Sequence, residues 1–175
     1  MKFHVEAWGF AMQLDLTRDW PEIASYVDRA IKASKHVCLG TAGPDGRPTV
    51  TPIGTLVLNG DCTGLFLERF PRSLGRDADY NRQVCVLAEV TKLGQLWRQF
   101  RRNGWIGLKL YGELGDRRAA APDEISRILA RLPIRTPKTQ RLLLGESPQV
   151  RPLRITRAEA IAAQLDKASG IFRAI

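Results

Sequence analysis

Cysteine and histidine are scarce in this sequence, and their scarcity excludes several classes of protein. Cys38, Cys62 and Cys85 form no CxxC pair, and an odd number of scattered cysteines argues against a disulfide scaffold. The two histidines, His4 and His36, lie far apart, and neither has another ligand type beside it at metal-binding spacing. The sequence therefore predicts no metal site, and its cysteine usage predicts a reduced, cytoplasmic protein.

Long apolar runs are also absent. No stretch approaches the roughly 18–20 consecutive apolar residues that a membrane-spanning helix needs. The segment 1–16 carries Glu6 and Asp15 and contains no continuous apolar stretch of the kind found in a secretory signal. We therefore expect no membrane partner.

The familiar catalytic and nucleotide-binding motifs are missing too. The glycines form neither a GxGxxG pattern nor a phosphate loop, which argues against a Rossmann or nucleoside-triphosphate site. No GxSxG nucleophile elbow is present. The residues alone therefore identify no catalytic group.

What the chain does have is an ordinary globular composition with an excess of positive charge. It contains 175 residues, of which 44% are hydrophobic and 26% charged, and no linker rich in glycine, proline and serine divides it. We expect one domain over residues 1–175. The net charge of +9 favours an anionic partner, such as nucleic acid, anionic lipid or a phosphorylated small molecule.

The hydrophobic pattern predicts a mainly β fold with flanking helices, of the α+β class. The predicted elements are a helix at 20–35, strands at 36–42, 47–58, 64–70, 83–90 and 105–114, a helix at 122–132, a strand at 150–155 and a C-terminal helix at about 157–169. Turn sequences at 43–46 and 59–61 make the neighbouring strands antiparallel. A small barrel flanked by helices is the architecture that removes exposed sheet edges.

Two of the helix predictions rest on local patterns. The C-terminal helix rests on Thr156 and Glu159, which form a capping-box pattern, followed by Ile161 and Leu165 at helical spacing. In the helix at 122–132 and just beyond it, an arginine recurs every fourth residue opposite the apolar stripe. These arginines, Arg127, Arg131 and Arg135, are predicted to form a solvated face.

The segment HVCLGTAGPDGRPTVTPIG (36–54) resembles the opening hairpin of the pyridoxamine 5′-phosphate oxidase-like, FMN-binding split-barrel family. That hairpin has an apolar strand, a turn ending in DG, then R/K-P and an alternating strand with a proline. The later segments GLFLERFPRS, NRQVCVLAEV and GLKLYGEL follow in the family's order. The resemblance covers about residues 20–157 and implies an antiparallel split β-barrel of the FMN-binding type.

The resemblance also implies which residues hold the flavin. In the family, the second strand lines the flavin with its backbone and polar side chains, which here are Arg47, Thr49, Val50, Thr51 and Pro52. The third strand and the basic segment after it hold the ribityl phosphate, which here assigns Phe66, Leu67, Glu68, Arg72, Ser73 and Arg76. Arginine and a hydroxyl together suit a dianionic phosphate, because both donate strong hydrogen bonds to it.

The implied function is that of an FMN-dependent oxidoreductase acting on an unidentified small molecule. The flavin supplies the redox chemistry, so no strongly acidic or basic side chain is required. The resemblance implies a homodimer, and the apolar strand faces that one short barrel leaves uncovered favour the same assembly. Related split barrels bind deazaflavin or haem instead. Haem is the least favoured, since neither histidine has a haem-binding context.

An alternative of a different class is a non-enzymatic basic barrel that binds nucleic acid or another phosphorylated ligand. The segment WRQFRR (97–102) combines arginine with aromatic residues, which suits base stacking and phosphate contact. The positive residues are spread through every segment and no RNA-binding motif is visible, so the sequence argues against nucleic acid. A flavin absorption band or a steep salt dependence of binding would separate the two functions.

Overall fold

The computed structural model describes residues 11–69, 72–90, 105–132, 136–165 and 172–174. The described strands are β1 (Ala11–Leu14), β2 (Val37–Ala42), β3 (Pro48–Ile53), β4 (Val57–Leu58), β5 (Thr63–Leu67), β6 (Gln83–Glu89), β7 (Trp105–Leu114), β8 (Arg118–Ala119), β9 (Gln149–Leu165) and β10 (Phe172–Ala174). The described helices are α1 (Leu16–Ser34), α2 (Arg72–Tyr80), α3 (Pro122–Arg131) and α4 (Pro137–Leu144). His4, the segment 97–102 and Arg135 lie outside the described residues.

The sheet is antiparallel throughout its described pairs, in the order β3-β2-β6-β7-β9-β5-β4. β9 is the longest strand and pairs along one edge with β7 and along the other with β5 and then β1. β8 and β10 also pair with β9. The mainly β, α+β class predicted from the hydrophobic pattern is confirmed.

The predicted C-terminal helix at about 157–169 is wrong over its described part. Residues up to Leu165 belong to β9, and Ala158 and Ala160 are fully buried on its inner face. The capping-box pattern and the alanines favour a helix locally. Pairing with β7 and β1 satisfies the backbone on both edges, however, and this tertiary context outweighs the weak helix propensity.

Helix α1 begins earlier than the sequence pattern indicates. Asp15 is its N-cap, and the Asp15 carboxylate accepts the N–H groups of Thr17 and Arg18 at 2.8 and 3.2 Å. Asp19, in the first turn of the helix, accepts the N–H of Asp15 at 3.0 Å. Within the described ranges, no helix has both the length and the apolar character needed to cross a bilayer.

The predicted strand at 47–58 is divided into β3 and β4. The strand is interrupted at Gly54, where an added Cβ would lie 2.7 Å from the carbonyl oxygen of Lys35. The end of α1 therefore approaches the backbone too closely for a side chain. In the turn predicted at 59–61, Gly60 does not adopt the left-handed conformation. Cys62, the residue after that segment, adopts it instead, with φ of 59°.

Two apolar cores lie on opposite faces of β5. The main core is the barrel interior, where Phe66 packs with the buried side of α1. A second core contains Leu65, Leu67 and Ile128 and is covered by α3 and by the leucines of α4. Because both faces of β5 are buried, its side chains are committed to packing.

The arginines of α3 are predicted to form a solvated face, but the two described ones, Arg127 and Arg131, make tertiary contacts. Arg131 donates to the carbonyl of Leu56 at 3.1 Å and pairs with Asp28 at 2.8 Å. Arg127 stays exposed but donates to the side-chain oxygen of Asn59 at 2.6 Å. These bonds fix α3 against the β4–β5 hairpin and α1.

We expect Gly112→Ala to destabilise the fold, because Gly112 lies where the pairing of β7 with β9 shifts register. An added Cβ would lie 3.2 Å from Leu153 Cδ1 and closer still to the carbonyl oxygen of Arg154. Overpacking of this kind costs about 1–3 kcal/mol. Urea unfolding measures the loss. Gly60→Ala is the control, since nothing lies within 4 Å of its added Cβ, and an equal loss there would contradict this account.

Candidate functional site

Strand β3 is an edge of the sheet, and most of its predicted flavin-binding residues are accessible. β3 pairs with β2, and no described strand pairs with its other edge. Val50 is 67% exposed, Pro52 and Arg47 are exposed, and Thr49 is half-buried. Thr51 is the exception, because its side chain is 1% exposed and lies on the barrel side.

The free edge of β3 presents a small, defined set of backbone groups. Alternate residues of a strand direct their N–H and C=O groups to the same edge, and proline, which has no N–H, belongs on a free edge. Pro48 and Pro52 therefore place Val50 on that edge between them. We infer that the Val50 N–H is the one donor there, with carbonyl oxygens on either side.

The end of β5 lies beside the segment that follows β3. The backbone N–H of Leu67 donates to Thr55 Oγ1 at 3.1 Å. The side chains of Phe66 and Leu67 are buried in the two apolar cores, at 1% and 5% exposure. The prediction that these two residues contact a cofactor can therefore hold only for their backbone.

Helix α2 carries the remaining predicted residues. Its first turn contains Arg72 and Ser73 and no acidic residue. Ser73 is half-buried, whereas the Arg76 guanidinium is 72% exposed and pairs with Asp77 at 3.1 Å. The unpaired N–H groups of a helix start attract anions. The first turn of α2 therefore offers backbone donors and a hydroxyl and contains no carboxylate of its own.

Glu68, predicted as a phosphate-segment residue, is instead half of a buried ion pair. Its carboxylate pairs with Arg151 of β9, which is 1% exposed. The Arg151 guanidinium also donates to Asp79 of α2 at 2.8 Å and to the carbonyl of Gly115 at 3.1 Å. Burial opposes its charge, but the two carboxylates prevail and raise the Arg151 pKa above its ordinary value. This ion pair holds the end of β5, α2 and β9 together.

Three buried polar atoms near α2 have no hydrogen-bond partner among the described residues. They are Thr41 Oγ1, Thr51 Oγ1 and Asp77 Oδ2. Thr41 and Thr51 lie diagonally on the inner face of the β2–β3 hairpin, and Asp77 lies against the backbone of Gly43. The region between the hairpin and α2 is therefore polar.

The structure places the predicted residues on β3, at the end of β5 and on α2, and it joins the end of β5 to the segment after β3 through Leu67 and Thr55. Sequence reasoning missed Thr55, Asp79 and Arg151. A signal for Arg151 exists, since it lies inside the apolar strand segment VRPLRI, but nothing in the sequence identifies Glu68 as its partner. The side chain of Arg72 is not among those that the structure describes.

Comparison with known proteins identifies the architecture. No protein-family profile and no curated protein sequence matches the chain. Among solved structures, an FMN-binding protein from Syntrophomonas wolfei subsp. wolfei matches with a TM-score of 0.51 and 16% identity, over 81% of this chain and 93% of that one. HutZ, the heme storage protein from Vibrio cholerae, matches with a TM-score of 0.52 and 18% identity, over 78% and 89% of the two chains.

An F420 reductase matches with a TM-score of 0.52 and 18% identity, over 77% of this chain and 93% of that one. The chain therefore has the split-barrel fold that these three proteins share. The names of the three matched proteins refer to FMN, heme and F420. The split barrel is therefore a scaffold on which the ligand is decided by the residues of each site.

We expect Arg151→Met to unfold the split barrel more easily, because the buried Glu68 carboxylate would lose its hydrogen-bonded partner and keep only Arg117, 3.9 Å away. Breaking one side of a buried ion pair costs about 3–5 kcal/mol. The double variant Glu68→Leu with Arg151→Met should recover most of the lost stability, because no lone charge remains. Urea unfolding of the three proteins measures both effects, and a double variant no more stable than Arg151→Met would refute the pairing.

Proposed function

We propose that the protein is a flavoprotein that binds FMN and acts as an oxidoreductase on a small molecule. The supporting observation is the bond between Leu67 and Thr55, which holds the end of β5, just before α2, against the segment that follows the free edge strand β3. The split-barrel fold and the FMN-binding protein that shares it favour the same function.

The donor set suits the two ends of FMN. Around the start of α2, Ser73, Arg76 and the helix N–H groups are the donors that a dianionic phosphate prefers. On the β3 edge, the Val50 N–H and the half-buried Thr49 suit the polar edge of the flavin ring. The exposed Val50 and Pro52 side chains suit its apolar face. The buried Glu68 carboxylate is neutralised by Arg151, so it does not repel the phosphate.

When bound, FMN supplies the electron-transfer chemistry. The work of the chain is to bind the phosphate, to orient the ring along β3 and to donate a hydrogen bond from the Val50 N–H. Because β3 is held in register with β2 from Pro48 to Ile53, this donor is set in place before any ligand arrives. Such preorganisation reduces the ordering cost of binding.

We expect Arg72→Ala to weaken FMN binding roughly 30-fold to several-thousand-fold, the range for removing one partner of a buried charge pair. Riboflavin, which has no phosphate, should bind both proteins about equally. A flavin-fluorescence titration measures all four affinities. Arg18→Ala is the matched control, since Arg18 is 77% exposed at the start of α1 and pairs with Asp19.

Two results would count against this assignment. Equal FMN affinity in the wild type and Arg72→Ala would move the phosphate to Arg47 or Arg76. A wild-type protein that binds no flavin would remove the function itself. The absorption spectrum of the protein purified from cells then distinguishes the other ligands, because haem and a deazaflavin absorb at wavelengths different from those of FMN.

We further propose that the protein is a homodimer with cytoplasmic location. Val50 is 67% exposed on an unpaired strand edge, which suits burial by a second copy. Val50→Asp should then shift the protein toward monomer, because the carboxylate would be desolvated at the interface. Sedimentation velocity at micromolar concentration measures this, with Leu142→Asp, also highly exposed, as the control. A monomeric wild type that retains flavin would rule out the dimer.

A further inference from the structure

A groove separate from the proposed flavin site runs along the outer side of the barrel. It has a volume of about 540 Å³ and lies between the first half of β5, the end of β7, the start of β9 and helix α3. None of the residues predicted to bind FMN lines it. Its volume is within the usual range for a small-molecule site.

Four arginines line the groove: Arg82, Arg118, Arg127 and Arg154. Two of them are bound to carboxylates. Arg118 donates to both carboxylate oxygens of Glu124, at 2.6 and 2.8 Å, and Arg82 pairs with Asp116. The Arg118 bond lowers the pKa of Glu124 to about 2, so this pair stays charged and fixes one wall of the groove.

The other two arginines keep charge that no hydrogen-bonded carboxylate neutralises. Arg127 donates to the neutral side-chain amide of Asn59 at 2.6 Å. The side chain of Arg154 is exposed, and its guanidinium donates no hydrogen bond to any residue in the described part of the chain. The pKa of Asp61 is lowered mainly by the hydrogen bond between Asp61 and Thr63, and in part by the positive charge of Arg154. Two guanidinium groups are thus available to one ligand.

The remaining lining gives the groove two further properties. Its floor includes the buried residues Gly64, Leu65 and Leu153, so part of a ligand would contact a nonpolar surface. Glu113 and Asp123, both exposed, also line the groove and can accept hydrogen bonds from a hydroxyl or amino group. These two carboxylates also offset part of the positive charge that Arg127 and Arg154 bring to the groove.

We propose that this groove binds a small organic anion with a doubly charged oxyanion, a phosphate ester or a dicarboxylate, held by Arg127 and Arg154. The arginine forks suit both chemistries, because each presents parallel donors to two oxygens. Helix α3 carries Arg127 and β9 carries Arg154, so the site depends on the packing of α3 against the β4–β5 hairpin. The proposal does not rest on FMN binding.

Isothermal titration calorimetry with inorganic phosphate and with succinate, at constant ionic strength, tests the site. We expect saturable binding of at least one probe by the wild type. Arg127→Gln and Arg154→Gln should each weaken it about ten- to a hundred-fold, the usual effect of losing a charge-assisted hydrogen bond. Both side chains are exposed, so the variants should fold, and their far-UV circular dichroism verifies this.

Two controls separate the groove from other basic surfaces. Arg18→Gln removes an exposed arginine remote from the groove and should leave binding unchanged. Arg76→Gln acts on the proposed FMN phosphate site, and it should leave unchanged the phosphate or succinate binding that the groove variants lose. Preference for phosphate assigns the phosphate-ester class, and preference for succinate assigns the dicarboxylate class. Saturable binding of neither probe, or a loss in Arg76→Gln without a loss in the groove variants, would overturn the proposal.

Discussion

The two-edged pairing of β9 is the constraint on which the rest of the structure depends. This strand from Gln149 to Leu165 pairs with β7 along one edge and with β5 and β1 along the other. β9 therefore joins β1, β5 and β7 into one sheet. The buried Arg151 near its start then fixes α2 through Asp79 and the end of β5 through Glu68. The groove and the α2 part of the proposed flavin site therefore depend on the position of this strand.

The same ion pair explains why a basic chain can place a carboxylate beside its proposed phosphate site. A Cβ added at Gly75 of α2 would lie 2.8 Å from Glu68 Oε1, and the charge of Glu68 is neutralised by a guanidinium that is itself buried. Arg117, 3.9 Å from Glu68, adds further positive charge from the loop after β7. The net charge around α2 therefore differs from the value obtained by counting the charged residues near it in the sequence. The net charge of +9 is spread over the chain, but tertiary contacts decide which arginines remain available.

The two surfaces use the sheet in different ways. At the β3 edge, unpaired backbone groups and small exposed apolar side chains are the recognition elements, whereas the groove beside α3 depends on guanidinium groups above a partly nonpolar floor. Arg127 belongs to the second surface because α3 packs on the outer face of β5. The groove includes Gly115, whose carbonyl accepts a bond from Arg151. One buried guanidinium therefore contacts the border of the groove as well as α2.

Periodicity and turn residues alone determined the antiparallel β2–β3 hairpin, the existence of strands β6 and β7, and helix α3, since alternating burial and proline-started helices are local properties of a sequence. The order of segments also indicated the split barrel and the β3 and α2 residues of the proposed site. Local patterns could not predict β9, because Thr156 to Leu165 become a strand only through partners distant in sequence. They could not show that Thr51 faces inward, that Glu68 meets Arg151, or that Arg127 and Arg154 share a groove. Only the tertiary structure decided these points, because burial and charge pairing depend on which distant segments meet.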